Sequence, residues 1–236
     1  MTATLSFLRL GNLDNIIYFI TDEATRHTFV VDPAFDVDAI LTHLHSNQML
    51  LQGVLLTHSH GDHISALLGL LKIHPVPTYV TREEFRLGRV RIKQPHYIAE
   101  GDTITLGETS IRVYETFGHT VGSICFHFDK ALITGDTLFV DGCGRCNFYE
   151  SNVEMMWDSL QRLKELPDQT TIYPGHDYGQ RPSDTLGNQK KTNPYLLIDD
   201  KAFFMDFRMN LQAQYRSIPF SPSCAEEMQA IYRAHC

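Results

Sequence analysis

Four times along this chain, a short apolar run ends in a glycine-bearing turn that holds a histidine or an aspartate. Val54-Leu55-Leu56 leads into Thr57-His58-Ser59-His60-Gly61-Asp62-His63. Residues 110–114 lead into Phe117-Gly118-His119-Thr120. Ala131-Leu132-Ile133 leads into Thr134-Gly135-Asp136-Thr137, and residues 170–172 lead into Tyr173-Pro174-Gly175-His176-Asp177. Runs of this length and branching read as buried strands. Glycine lets the backbone turn sharply and approach closely where each strand stops. Any fold that fits all four must gather polar ligand-type side chains at strand ends.

The first turn is the densest. His58 and His60 are two apart, so in extended backbone they point the same way and can reach one ion. Gly61 breaks that run. Asp62 and His63 then stand at the mouth of residues 64–73, a stretch of helical length, and turn away from the strand's row toward a second ion. Three imidazoles and a carboxylate are costly to crowd together without a compensating partner. A metal supplies one, and this donor set suits zinc well and iron or manganese acceptably. A solvated histidine-rich turn is the plainer alternative in a chain with 12 histidines. The placement of HxHxDH between a strand and a helix favours the metal.

The ordered set His58-x-His60-x-Asp62-His63, His119, Asp136 and His176 resembles the metallo-β-lactamase superfamily, over roughly residues 5 to 200. The resemblance implies an α/β chain folded as a four-layer αββα sandwich with a short C-terminal helical extension. The hydrolase domain would span 1–200 and the extension 201–236. It also implies that His58, His60 and His119 hold one metal, and that Asp62, His63 and His176 hold another. Asp136 would bridge the two ions together with a water or hydroxide. Two Zn(2+) per chain are expected, with catalytic roles for Asp62 and Asp136.

Asp136 and the stretches Gly118-His119-Thr120-x-Gly122-Ser123, Gly135 to Phe139, Gly142-Cys143-Gly144-Arg145 and Asp168 to His176 are similar to the glyoxalase II-like branch. That likeness implies hydrolysis of a thioester, with Arg145 and Tyr178 as substrate contacts. The chain departs from glyoxalase II in two places. Only 60 residues follow His176, too few for its long helical glutathione-binding domain, and Asn147 replaces an aromatic. Compact relatives resemble it more, among them polyketide-cluster zinc hydrolases and persulfide dioxygenases. An alternative is therefore a dioxygenase with one Fe(2+) acting on a persulfide. A non-catalytic metal-binding module is the weakest reading, because structural zinc is normally closed by four ligands and seven positions are filled here.

A net charge of −8 argues against a nucleic-acid surface. No stretch approaches the ~20 apolar residues of a membrane helix. The N-terminus lacks the basic start and apolar core of a signal peptide, so a cytoplasmic location is expected. Five cysteines, an odd number, fit a reducing compartment. Cys143-Gly-Arg-Cys146 has no second CxxC and reads as a loop coincidence. Arg82, Arg86, Arg89, Arg91 and Lys93 read as a solvated face, with a docking patch for an acidic carrier protein or a phosphate-bearing thioester as the sharper alternative. The expected partner is a small-molecule or carrier-bound thioester, and a homodimer through the C-terminal helices is possible.

Alternation and apolar spacing predict strands over 5–10, 15–20, 28–31, 54–56 and 78–80, and a hairpin arm over 101–107. Helices are expected over 37–44, 64–73, 155–166, 202–214 and 225–234. The polar stretch 178–193 reads as a loop.

Overall fold

The structure is a computed structural model that describes residues 2–236. The chain divides into two compact units. The first runs to Glu115 and includes Ile124–Lys130; the second comprises Thr116–Ser123 and Ala131–Cys236.

In the first unit, β1 (Ala3–Leu10), β2 (Asn15–Asp22) and β3 (His27–Val31) form an antiparallel meander. Helix α1 (Val37–Ser46) follows. Asp36 caps it by accepting the Ala39 N–H, and Ile40 and Leu44 are its buried face. β4 (Leu50–Leu55) then pairs with β3 in parallel, with Val31 opposite Leu55. Short helices α2 (Gly61–Ile64) and α3 (Leu67–Ile73) precede β5 (Thr78–Val80), α4 (Arg82–Arg86) and β6 (His96–Tyr97). The six strands lie in chain order in one sheet. One side of it builds a core in which Ile17, Phe19, Val54 and Leu56 meet Ile40 and Leu67. β7 (Thr103–Leu106), β8 (Thr109–Glu115) and β9 (Ile124–Phe128) form a second antiparallel meander.

The expected helix over 64–73 is interrupted. Ser65 Oγ accepts the Phe35 N–H at 2.8 Å, and the Ala66 N–H donates to the Pro33 carbonyl at 3.2 Å. These bonds to the β3–α1 connection end one helix and begin the next.

In the second unit, β10 (Ala131–Gly135) is parallel to β13 (Thr171–Pro174), and β13 is antiparallel to β14 (Asp184–Thr185). β11 (Leu138–Phe139) and β12 (Gly142–Cys143) make a small hairpin. Helix α5 (Val153–Lys164) is capped by Asn152 and buries Met156, Leu160 and Leu163, the spacing its sequence shows. α6 (Leu186–Thr192) occupies part of the stretch expected to be loop. Its polar residues face inward: buried Gln189 donates to Asp141 and Asp184, and buried Asn193 donates to the Phe139 and Gly142 carbonyls. α7 (Lys201–Asp206) packs on α5 through Trp157 and Phe204, and continues as a π-helical turn, Phe207–Leu211. α8 (Ala225–His235) ends the chain. Among the described residues no helix is long and apolar enough to cross a membrane.

Candidate metal centre

Because β3 and β4 are parallel, with Val31 opposite Leu55, their ends lie side by side. The Asp32 N–H donates to the Leu55 carbonyl at 3.0 Å, and Asp32 takes a left-handed φ of +52° that bends the chain back toward Thr57. Its buried carboxylate accepts the Thr57 N–H at 2.7 Å, the Thr57 hydroxyl, and Nδ1–H of His63 at 3.0 Å. Thr57 gives its proton to Asp32, so its oxygen accepts from His58 Nδ1 at 3.1 Å. Both imidazoles thus carry their proton on Nδ1 and keep Nε2 as a lone-pair donor. The His58 ring centre lies 4.0 Å from that of His63 and 4.8 Å from that of His60.

The His63 Nε2 atom is 3.6 Å from Asp62 Oδ2. Asn15 holds Asp62 in that position, its Nδ2 donating to Oδ2 at 3.0 Å and to the Asp62 carbonyl at 3.1 Å. Asp32, His58 and His63 also bring their donor atoms within 4.8 Å of one another, close enough to share an ion. The Asp32 oxygens already accept three donors, however, so Asp32 orients ligands rather than serving as one.

In the second unit the other three candidates meet. Gly175 N–H donates to the Gly135 carbonyl at 2.8 Å, which draws the end of β13 to the end of β10. Asp136 Oδ2 then stands 3.3 Å from His176 Nε2 and 3.5 Å from His119 Nε2. His119 Nδ1–H donates to the Arg145 carbonyl at 2.8 Å; a carbonyl only accepts, so Nε2 is again the lone-pair nitrogen. The Thr116 and Thr137 hydroxyls, 2.9 Å apart, brace the turn that carries Asp136. His119 and His176 are both buried.

His58, His60, Asp62 and His63 thus cluster in the first unit, and His119, Asp136 and His176 in the second. The donor set fits divalent metal: three imidazoles have a partner on Nδ1 that leaves Nε2 to ligate, and the carboxylates are hydrogen-bonded or flanked by imidazole. Arg145 and Tyr178 take different positions. The exposed Arg145 guanidinium lies 5.4 Å from the ring centre of Phe148, whose edge meets His119. Tyr178 stacks on His176 with ring centres 4.7 Å apart and 11° between planes, beside Phe139 and Phe220.

Asp32, Asn15 and Thr57 have no counterpart among the residues expected from sequence. Asp32 falls just past the end of the strand expected over 28–31. The adjacency that reveals it, the parallel pairing of β3 with β4, is a tertiary fact. Cys143 and Cys146 are buried free thiols, and burial pushes them up to about 12 and about 11 respectively. Neither is a reactive thiolate near neutral pH.

Residues 14–176 match the Metallo-beta-lactamase superfamily. The chain is 35% identical over 195 residues to the probable polyketide biosynthesis zinc-dependent hydrolase PksB of Bacillus subtilis, covering 82% of this chain and 87% of that protein. It is 41% identical over 170 residues to a hydroxyacylglutathione hydrolase of Hahella chejuensis, covering 70% of this chain and 62% of that one. The crystal structure of ETHE1 from Myxococcus xanthus superposes with a TM-score of 0.80 at 31% identity, covering 88% of this chain and 91% of that one.

Proposed function

The chain belongs to the metallo-beta-lactamase superfamily, and from that premise we propose that it is a two-zinc hydrolase of thioesters. The ligands would be His58, His60 and His119 for one ion and Asp62, His63 and His176 for the other, with Asp136 shared. The observation that carries this reading is Asp136 Oδ2 standing 3.5 and 3.3 Å from two imidazole nitrogens. One carboxylate flanked by two such donors suits a bridge between neighbouring ions. The likeness to a hydroxyacylglutathione hydrolase supports the thioester class, and the likeness to a zinc-dependent hydrolase supports zinc as the metal.

Divalent ions bound there supply Lewis acidity and lower the pKa of coordinated water to about 7. The chain's own groups then do the rest. Asp62, steadied by Asn15, orients the attacking oxygen. The exposed Arg145 guanidinium offers planar donors to an acidic group on the substrate, and Tyr178 offers a hydroxyl at the tip of its stack on His176. The leaving thiolate needs no general acid, because a thiol's pKa of about 8.5 makes it a good leaving group. Buried free thiols and the odd cysteine count support a reducing, cytoplasmic setting.

The test is thiol release from lactoylglutathione, acetyl-coenzyme A and an acylated pantetheine, with zinc supplied. His58→Ala and Asp136→Ala are expected to lose about 10²–10³-fold of the wild-type rate. Wild-type protein no faster than these variants on all three would sink the reading. Metal analysis separates it from the single-iron alternative: two zincs per chain support hydrolysis, whereas one iron with oxygen uptake on a persulfide supports dioxygenation.

A further inference from the structure

Arg208 lies in the π-helical turn after α7, beyond the region that matches the superfamily, and is only 6% exposed. Among the described residues no carboxylate pairs with it. Its Nε–H donates to the Gly144 carbonyl at 3.0 Å, and its Cζ lies 5.9 Å from the Tyr195 ring centre. Burying a cation without a counter-ion is costly. What the guanidinium grips is therefore informative.

It grips a three-residue strap, Cys143-Gly144-Arg145, that touches two candidate ligands. The Gly144 backbone lies so close to Asp136 that a Cβ at 144 would collide with the Asp136 carbonyl oxygen, and it would stand 3.1 Å from His119 Nδ1. The Gly144 N–H donates to the Thr137 carbonyl at 3.3 Å, one residue beyond Asp136. The next carbonyl in the strap, that of Arg145, accepts the His119 Nδ1–H. The strap is thus hydrogen-bonded to the Asp136 turn, to His119 and to Arg208. A planar guanidinium can donate to a carbonyl while lying beside an aromatic ring, which an ammonium of the same charge does less well. π-Helical turns occur often at functional sites, and this one carries the guanidinium to the strap.

We propose that Arg208 is a positioning residue for the metal centre. By fixing Gly144 it holds the Arg145 carbonyl where it keeps the His119 proton on Nδ1, and it holds the turn that presents Asp136. The C-terminal segment thereby acts on the centre through one buried cation. This rests on the metal-site reading above, and not on the choice of substrate.

The test reads metal binding rather than turnover. Metal-stripped full-length protein is titrated with zinc against a chromophoric chelator, and with cobalt(II) followed by its visible absorption. Arg208→Met is expected to weaken the tighter-bound ion by about tenfold, the lower end of the effect of removing a partner of a metal ligand, and to shift the cobalt bands. Arg208→Lys retains the charge and should fall between wild type and Arg208→Met, and it keeps the test open if Arg208→Met does not fold. Phe203→Leu thins α7 without touching the strap; it should lower the melting temperature while leaving zinc affinity and the cobalt spectrum unchanged. Folded Arg208 variants with wild-type affinity and spectrum overturn the proposal, as does Phe203→Leu matching their loss. Wild-type protein that takes up no metal overturns it together with the site. Wild-type protein that binds two ions yet cleaves no thioester ends the substrate reading and leaves this one standing.

Discussion

Asp32 accepts three hydrogen bonds, and each fixes a group beside the histidines: the Thr57 backbone, the Thr57 hydroxyl, and the His63 ring. In Asp32→Asn, one oxygen becomes an amide nitrogen that can only donate, and it faces another donor whichever way the amide turns. With that nitrogen toward His63 the ring loses the acceptor that sets its tautomer, and with it toward Thr57 the backbone N–H that leads into His58 loses its anchor. Zinc affinity is expected to fall about 10–100-fold, with stability lower by about 1–3 kcal/mol. A chelator-competition titration checks the first and urea unfolding the second; unchanged affinity would remove Asp32 from the site's support. His58, His60, Asp62 and His63 were legible because their chemistry and spacing lie within six residues. His119, Asp136 and His176 were legible through the repeated strand-glycine pattern. Asp32 was not, because its role depends on strand pairing. The Arg145 carbonyl was not, because a backbone acceptor leaves no trace in residue type.

Elements with strong local signals fall where the sequence places them: α1 after its Asp36 cap, α5 after Asn152 and ahead of Pro167, β7 in the 101–107 arm. The misplaced features share a cause. The break between α2 and α3 and the burial of α6 are both set by hydrogen bonds to distant loops, which override local pattern. Polarity marked 178–193 as solvent-facing, but Gln189 and Asn193 spend theirs on buried backbone and carboxylates. Gly118 shows how tightly one turn is tied to a helix. Its φ is +144°, a Cβ would collide with the Met156 backbone, and its carbonyl accepts the Asn152 N–H at 2.8 Å. Gly118→Ala is expected to cost about 1–3 kcal/mol from backbone strain, plus the displacement of α5. Gly88→Ala isolates the backbone part, since Gly88 has φ +73° but open space around it. Thermal melts of the pair check this; equal losses would show that the packing of α5 on Gly118 is loose.

At the scale of the whole chain, acid tests both units through one carboxylate each. In the first unit, hydrogen bonds from Thr25, Thr109 and Glu108 hold the Asp22 carboxyl well below the usual range. Asp22 thereby ties the end of β2 to the β7–β8 turn. In the second, burial pushes the Asp184 carboxyl up, but bonds from Arg181, Gln189, Asn188 and Thr185 outweigh it and the net shift is downward. A depressed carboxylate stabilises the folded state at every pH above its unfolded value of about 3.9. That stabilisation is lost as pH falls through the lower folded value. Both units should therefore hold this contribution from pH 7 to 5 and begin to lose it below about 4. Asp22→Asn and Asp184→Asn put an amide donor where several donors converge, so each should lower the urea midpoint at pH 7. The gap to wild type should stay constant down to pH 5 and begin to narrow below pH 4, where the unfolded chain takes up protons that the folded wild-type carboxylates do not yet bind. Circular dichroism across that range decides it. A gap that persists undiminished at pH 3 would mean that packing, not the carboxylate charge, supplies the stability. A gap already narrowing at pH 6 would assign the acid response to histidines instead.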